Sequence, residues 1–216
     1  MDRSEINPNQ FLSIPLFPLG TTLFPGGILP LKIFEVRYLD MVKACFRDHK
    51  PFGIVTIAQG NEVRKPNEAV TFSQVGTLAS IEQFEAVQPS LFVIQCLGKL
   101  RFKIISSELH KNGLWEAQIQ TLEDDVHMPV PDELQSASQS LKKVIESLVD
   151  QGLTKEQMPF SKPFALNDCG WVANRWSELL PLPPGQKEHL LGLDNPRLRL
   201  DLVSELLQEM GIMQDE

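Results

Sequence analysis

An apolar stretch near the start of the chain contains prolines at a spacing that excludes an α-helix. The four prolines are Pro15, Pro18, Pro25 and Pro30. Each proline lacks a backbone N–H and disfavours helical geometry for the residue before it. The pair Gly26–Gly27 between them permits a sharp bend of the backbone. The stretch is therefore predicted to be an extended apolar segment interrupted by prolines.

The rest of the first half shows the patterns of short β-strands. Runs of apolar and β-branched residues, several alternating with polar ones, favour strands over 52–57, 75–81, 92–96, 100–104 and 117–121. A tight turn is predicted at Gly98–Lys99, between two of these strands. One helix is predicted from Glu35 to about Asp48, because apolar residues recur there at steps of three and four. Several short strands at close spacing favour a barrel or a sandwich.

The second half has helical periodicity. An apolar stripe over 134–148 is followed by Gly152, which is typical of a helix end. Asp168 is a suitable N-cap for a helix through Leu180, and a short helix is expected around 186–191. Asn195, followed by Pro196, predicts the start of a last helix, which would end at Gly211. We therefore expect two subdomains, a β subdomain over 1–125 and a helical one over 126–216.

Composition narrows the possible functions. Because 42% of the residues are hydrophobic, the sequence favours a folded chain over a disordered one. The net charge of −8 disfavours nucleic acid as a partner. The polar first residues and the absence of a long apolar run predict a cytoplasmic protein with no membrane partner. Three separated cysteines are expected to be buried thiols in a reducing compartment: Cys45, Cys96 and Cys169.

A search for catalytic motifs identifies no site. P-loop, dinucleotide-binding, nucleophile-elbow and zinc-protease patterns do not occur. Ser140 and Lys143 match an S-x-x-K pattern, but on a helix they would share the solvent face, where a lysine stays protonated. The acidic run 123–125 could bind a hard cation, although a solvated linker is favoured. Four scattered histidines are expected at the surface: His49, His110, His127 and His189. No catalytic residue, metal site or cofactor is predicted.

The opening of the chain resembles the amino-terminal domain of Lon proteases. The resemblance rests on the runs 15–20, 23–26 and 29–38, which read PLFPLG, LFPG and LPLKIFEVRY. It continues through 52–55, 76–81 and 98–102, and more loosely through 171–173 and 179–182, with Lys187, Leu190 and Leu191. The likeness spans about residues 13–210.

This resemblance implies an α+β fold. The expected architecture is an N-terminal PUA-like twisted β-barrel with one inserted helix, followed by a C-terminal α-helical bundle. In Lon proteases this region helps to recognise damaged or unfolded protein substrates and assists assembly, without hydrolysing ATP or peptide bonds. The sequence contains neither a P-loop nor a Ser–Lys dyad of the protease module. The resemblance therefore implies a stand-alone relative without the ATPase and protease modules, and not an enzyme.

The leading hypothesis is a non-catalytic module that binds unfolded or client polypeptide and delivers it to a protease or a chaperone. A groove between barrel and bundle, or a free sheet edge, would form the site. Glu35 and Arg37 are poorly spaced for a pair along a helix, so either is expected to reach the barrel. The competing interpretation is that most of the candidate residues pack the barrel against its helix. The candidate peptide-binding residues are Phe24, Phe34, Arg37, Tyr38, Trp171 and Trp176.

Two alternatives remain open at this stage. RNA binding is supported by Lys99, Arg101 and Lys103, expected on the solvent side of one strand, and by Arg64–Lys65. The second alternative is a small-molecule enzyme with an unrecognised site. The sequence disfavours it, because no nucleophile–base pair or metal cluster is visible.

Overall fold

A computed structural model of the chain describes residues 8–62, 70–153 and 158–213. The first half contains strands and one helix, the second half helices. The strands are β1 (Phe11–Leu19), β2 (Ile28–Ile33), β3 (Phe52–Gln59), β4 (Thr71–Gln88), β5 (Leu91–Leu109) and β6 (Trp115–Thr121). The helices are α1 (Val36–Arg47), α2 (Gln135–Asp150), α3 (Cys169–Leu179), α4 (Pro184–Gly192) and α5 (Pro196–Glu209). A short 3-10 turn, Asp132–Leu134, precedes α2.

The strands form a barrel-like ring. The sheet order is β2-β5-β4-β3-β1-β6, and β5 also pairs with β6, which closes the ring. Strand β2 lies outside the ring and pairs with the first part of β5. The β1–β3 pair is parallel and the others are antiparallel. A parallel pair needs a crossover connection, and α1 lies within the one that joins β1 to β3. The expected α+β fold, a barrel with an inserted helix followed by helices, is confirmed.

The turn predicted at Gly98–Lys99 is wrong, because one long strand, β5, runs through both residues. Gly98 is instead the place where another backbone approaches. A Cβ at Gly98 would lie 2.3 Å from the carbonyl oxygen of Phe24. The Gly98 N–H donates to the Gly27 carbonyl at 2.9 Å, and the Gly26 N–H donates to the Gly98 carbonyl at 2.9 Å. The glycine therefore marks a backbone contact rather than a turn.

The predicted helix starts are confirmed at α3 and α5. The Asp168 carboxylate accepts a hydrogen bond from the Trp171 N–H at 2.8 Å. The Asn195 side chain accepts from the N–H groups of Arg197 and Leu198. Each cap satisfies backbone donors that a helix leaves without internal partners.

Buried apolar residues form three clusters. One lies between the barrel and α1, and a second lines the ring of strands. The third lies among the helices and includes Phe24, which comes from the proline-containing segment between β1 and β2 and is fully buried. A segment of the first half thus packs within the helical half. The subdomain boundary at 125–126 stays a prediction.

Candidate functional site

Residues 22–27, which we call the ribbon, are bound to α3 by a buried ion pair. Arg175 is fully buried, and its Nη2 donates to the Pro25 carbonyl at 2.8 Å. The same nitrogen lies 3.2 Å from Oε2 of Glu178. Oε1 of Glu178 accepts from the Phe24 N–H at 3.1 Å. A Cβ at Gly27 would lie 1.9 Å from that oxygen, so a larger residue there would displace the Glu178 carboxylate. These contacts make the ribbon part of the structural core.

Burial changes the titration of this ion pair. It raises the pKa of Glu178 to about 7, against the opposing effects of Arg175, the Phe24 N–H and Lys187. Burial also lowers the pKa of Arg175, although the Glu178 carboxylate opposes that change. The guanidinium carbon of Arg175 lies 5.9 Å from the centre of the Trp171 ring. Arg175 has no exposed side-chain surface and Glu178 is 17% exposed, so protein covers most of the ion pair.

A second buried cluster joins β5 to the helices. The Arg199 guanidinium donates to both carboxylate oxygens of Asp125, at 2.5 and 3.0 Å, and to Oδ1 of Asn174 at 2.9 Å. Arg101, only 3% exposed, donates to the Leu191 carbonyl at 3.0 Å. The expected solvent exposure of Arg101 is therefore wrong, because the end of α4 and the connection to α5 cover that face of β5. The solvated-linker interpretation is wrong for Asp125.

The basic patch considered for RNA does not form on the described surface. Burial removes Arg101 from it, and Lys99 pairs with Glu82 at 3.3 Å. Lys103 is exposed. Arg64–Lys65 lie outside the described residues. Nothing in this arrangement favours RNA as the ligand.

Three of the six candidate peptide-binding residues lie in cores. Phe24 and Trp176 pack in the helical cluster, where the Trp176 Nε1–H donates to the Ala137 carbonyl at 2.9 Å. Tyr38 stacks on Phe17 with ring centres 3.9 Å apart. Their aromatic area is already covered by protein, so we do not include them among contact residues for a ligand.

The other three candidates do not meet in one place. Arg37 lies 2.9 Å from Glu35 and donates to the Gly113 carbonyl at 2.7 Å. The expected poor spacing with Glu35 does not apply, because Glu35 precedes the helix. Phe34 is 56% exposed near the start of α1. Trp171 is half-buried on α3 against Phe160 and Phe164. A ligand role for Phe34, Arg37 and Trp171 stays a prediction.

An open groove lies between α1 and the first half of β1, and we call it the β1 groove. Its volume is about 590 Å³, within the range of small-molecule sites. Apolar side chains from β1, from α1 and from the β5–β6 connection form most of its walls: Leu12, Ile14, Pro15, Met41, Ala44, Cys45 and Leu114. Residues 11–15 pair with β6 only, Leu16 pairs with both β6 and β3, and 17–19 pair with β3. One backbone edge of 11–15 therefore has no strand partner within the described part of the chain.

Polar groups lie at the rim of the β1 groove. The Ser13 hydroxyl donates to Glu116 at 2.6 Å, and this bond together with His110 lowers the pKa of that carboxyl. Asp48 and Lys50 supply one charge of each sign. Burial raises the pKa of the Cys45 thiol to about 11, so the sulfur is not a nucleophile at neutral pH. The lining of the groove therefore offers apolar side chains, and the adjacent strand offers backbone hydrogen-bonding groups.

Residues 8–62, 70–153 and 158–213 contain no group of three or more His, Cys, Asp or Glu side chains that could hold a metal ion. Within the same ranges, no helix combines the length and the apolar character that crossing a membrane requires.

Sequence comparison matches residues 13–209 to the family described as the ATP-dependent protease La (LON) substrate-binding domain. The chain is 24% identical to the Lon protease of Anaeromyxobacter dehalogenans over 196 residues. That match covers 90% of this chain and 23% of the relative, so the chain spans less than a quarter of that curated protein.

Solved structures agree with this match. The crystal structure of a Lon N-terminal domain protein from Xanthomonas campestris superposes with a TM-score of 0.69 at 29% identity, over 90% of this chain and 98% of that one. The N-terminal domain of the Mycobacterium avium complex Lon protease gives a TM-score of 0.57 at 15% identity, over 92% and 99%. The second likeness concerns the fold alone.

Proposed function

This chain belongs to the Lon substrate-binding domain family, and on that premise we propose that it is a non-catalytic module that binds unfolded polypeptide in the β1 groove. The observation that carries the proposal is the edge of residues 11–15, which has no strand partner among the described residues and lies beside an apolar groove of about 590 Å³. Family membership supports polypeptide as the class of ligand, and the groove supports this location for the site.

The unpaired edge favours an extended backbone as the ligand. In an antiparallel ladder, alternate residues direct their N–H and C=O groups away from the partner strand. Along 11–15 those groups are directed toward the position that β3 occupies beside 16–19. An added peptide strand would continue the β3 position and satisfy them, as in strand addition to a sheet edge. Pro15 offers a carbonyl but no N–H, so the edge is short.

The second wall of the groove favours apolar side chains on that strand. Met41 and Ala44 of α1 face the space beside the edge, and Phe11 is 66% exposed at its outer end. Side chains of a strand alternate between its two faces, so every second residue of the peptide would meet α1. Unfolded chains expose both apolar side chains and unpaired backbone groups, whereas folded proteins conceal most of them. The site would therefore discriminate in favour of unfolded protein.

The proposal is tested by titration with fluorescently labelled α-lactalbumin that has been reduced and alkylated, with the native form as control. We expect saturable, micromolar binding of the unfolded form alone, measured by anisotropy. Ala44→Gln, which places a polar side chain in the groove, should weaken binding about tenfold. The matched variant Ala86→Gln, on an exposed part of β4, should leave it unchanged.

A short apolar peptide and its backbone N-methylated analogue separate strand addition from apolar contact alone. We expect the N-methylated peptide to bind at least about tenfold more weakly, because it cannot donate to the β1 edge. Absence of binding by either lactalbumin form, or equal effects of the two alanine substitutions, would contradict the proposal.

A further inference from the structure

A second open groove lies between α4 and α5, in the helical half of the chain. Its volume is about 300 Å³. Leu190 of α4 and Leu202 and Leu206 of α5 supply its apolar surface. Glu205 and Glu209 line it from the α5 side, and His189 lines it from α4. It shares no lining residue with the β1 groove.

The exposed surface of α5 carries two stripes at helical spacing. The apolar stripe repeats every four residues and includes Leu198, 46% exposed, and Met210, 41% exposed, at its two ends. The full stripe is Leu198, Leu202, Leu206 and Met210. An acidic stripe with the same spacing runs beside it and consists of Asp201, Glu205 and Glu209. None of these three carboxylates forms a salt bridge within residues 8–62, 70–153 and 158–213.

The geometry points to the α4–α5 groove as a docking site for a basic amphipathic helix of a partner protein. Apolar anchors one turn apart would contact Leu202 and Leu206, as in other helix-in-groove complexes. Lysine or arginine side chains on the flank of that helix would lie opposite Glu205 and Glu209. Helix α5 has 14 residues and is about 21 Å long, enough for three or four turns of a partner helix.

The negative charge beside the α4–α5 groove favours a basic protein segment over nucleic acid or lipid as the partner. The acidic stripe would repel nucleic acid and anionic lipid, and the chain as a whole carries −8. Basic residues on α4 do not neutralise the groove: the Lys187 ammonium donates to the Glu178 carbonyl at 3.2 Å, and this leaves His189 as the basic group that lines it. The inferred partner presents a helix and differs from the extended ligand of the proposed function, so the two sites can be tested separately.

The test uses a fluorescein-labelled leucine–lysine peptide of about eighteen residues, whose leucines form one helical face. We expect saturable binding that weakens about tenfold in the double variant Glu205→Lys, Glu209→Lys, because attraction becomes repulsion at two exposed positions. The control double variant Glu85→Lys, Glu108→Lys changes two exposed carboxylates of the barrel and has the same net charge. It should weaken binding less than about twofold.

Two control peptides complete the test. A scrambled leucine–lysine peptide without the apolar face, and a leucine–glutamate peptide with it, should both bind at least about tenfold more weakly. Equal weakening by the two double variants, or equal binding of the scrambled peptide, would overturn the inference by indicating nonspecific charge attraction. Ala44→Gln should leave binding of the leucine–lysine peptide unchanged. The result therefore does not depend on whether the β1 groove binds unfolded polypeptide. Unchanged thermal melting of the glutamate variants would establish that they fold.

Discussion

The ribbon and the first half of β1 are similar in sequence and different in environment. Both are apolar and contain a proline. In the ribbon, Leu23 and Phe24 are 2% and 0% exposed. In β1, Phe11 is 66% exposed, and the edge of residues 11–15 borders an open groove.

The difference arises from what faces each backbone. The Phe24 N–H and the Pro25 carbonyl have side-chain partners on α3, and the Gly26 N–H donates to Gly98. Residues 11–15 have β6 on one side and no strand on the other within the described ranges. An apolar, proline-containing segment is therefore a structural contact where another element satisfies its backbone, and a candidate binding edge where none does.

The largest expected effect is loss of the ion pair that binds the ribbon. Arg175→Ala leaves Glu178 without its buried partner, which typically costs about 3–5 kcal/mol of unfolding free energy. Urea denaturation measures this change. Arg197→Ala, whose 51% exposed side chain pairs with Glu133, should cost less than about 1 kcal/mol. Similar losses for both variants would mean that the ribbon does not depend on α3.

The next effect concerns the close approach between the ribbon and β5. Gly98→Ala places a Cβ 2.3 Å from the Phe24 carbonyl oxygen, so one backbone has to move. We expect a loss of about 1–3 kcal/mol in denaturant titrations. The control is Gly185→Ala, where a Cβ meets no atom within 4 Å. It should leave stability unchanged or raise it by less than about 1 kcal/mol.

A pH dependence should accompany the buried carboxyl of Glu178. Its pKa is raised to about 7 in the folded protein, so the folded state binds this proton more tightly than the unfolded state does. The stabilisation that this bound proton gives the folded state is therefore fully present below the pKa of Glu178 in the unfolded state. It is lost as the pH rises toward and through 7. For one such group, the free energy of unfolding falls by at most about 1.4 kcal/mol per pH unit.

Denaturation of the wild type and Glu178→Gln between pH 5 and 8 measures this slope. Relative to the variant, the wild type should lose stability as the pH rises. Parallel curves would contradict a raised pKa for this carboxyl. Glu133→Gln, at an exposed position, serves as the control.

The smallest effect is expected at Phe34, which is exposed but does not line the β1 groove. If the polypeptide binds in the β1 groove alone, Phe34→Ala should change stability by less than about 0.5 kcal/mol and binding of unfolded lactalbumin by less than about twofold. The ligand role that the sequence predicts for Phe34 would instead give a larger loss of binding. Melting curves and anisotropy titrations are the two measurements. A loss of binding as large as that of Ala44→Gln would extend the site to the start of α1.

Local signals predicted much of this fold. The caps at Asp168 and Asn195 and the periodicity of α1 depend on neighbours within a few residues, and the structure confirms them. The role of Gly98 could not be read in the same way, because a glycine inside an alternating pattern is compatible with both a turn and a close backbone contact.

Contacts distant in sequence account for what was missed. Arg101 alternates with apolar residues like a solvent-facing side chain, and its burial depends on the α4–α5 connection some 90 residues later. Asp125 is bound to Arg199, which lies 74 residues away. The β1 groove depends on where β3 stops pairing, at Gly53 beside Leu16. No sequence pattern within 11–15 indicates that pairing with β3 begins only at Leu16.

Hydrogen–deuterium exchange with and without saturating unfolded lactalbumin tests the contrast between the two regions most directly. The account predicts slower exchange of amides in 11–14 when the unfolded polypeptide is bound, with smaller protection in the second half of α1, and no change over 22–27. Protection of the ribbon, or of α4 and α5, without any change in 11–14 would contradict the assignment of the β1 groove as the polypeptide site.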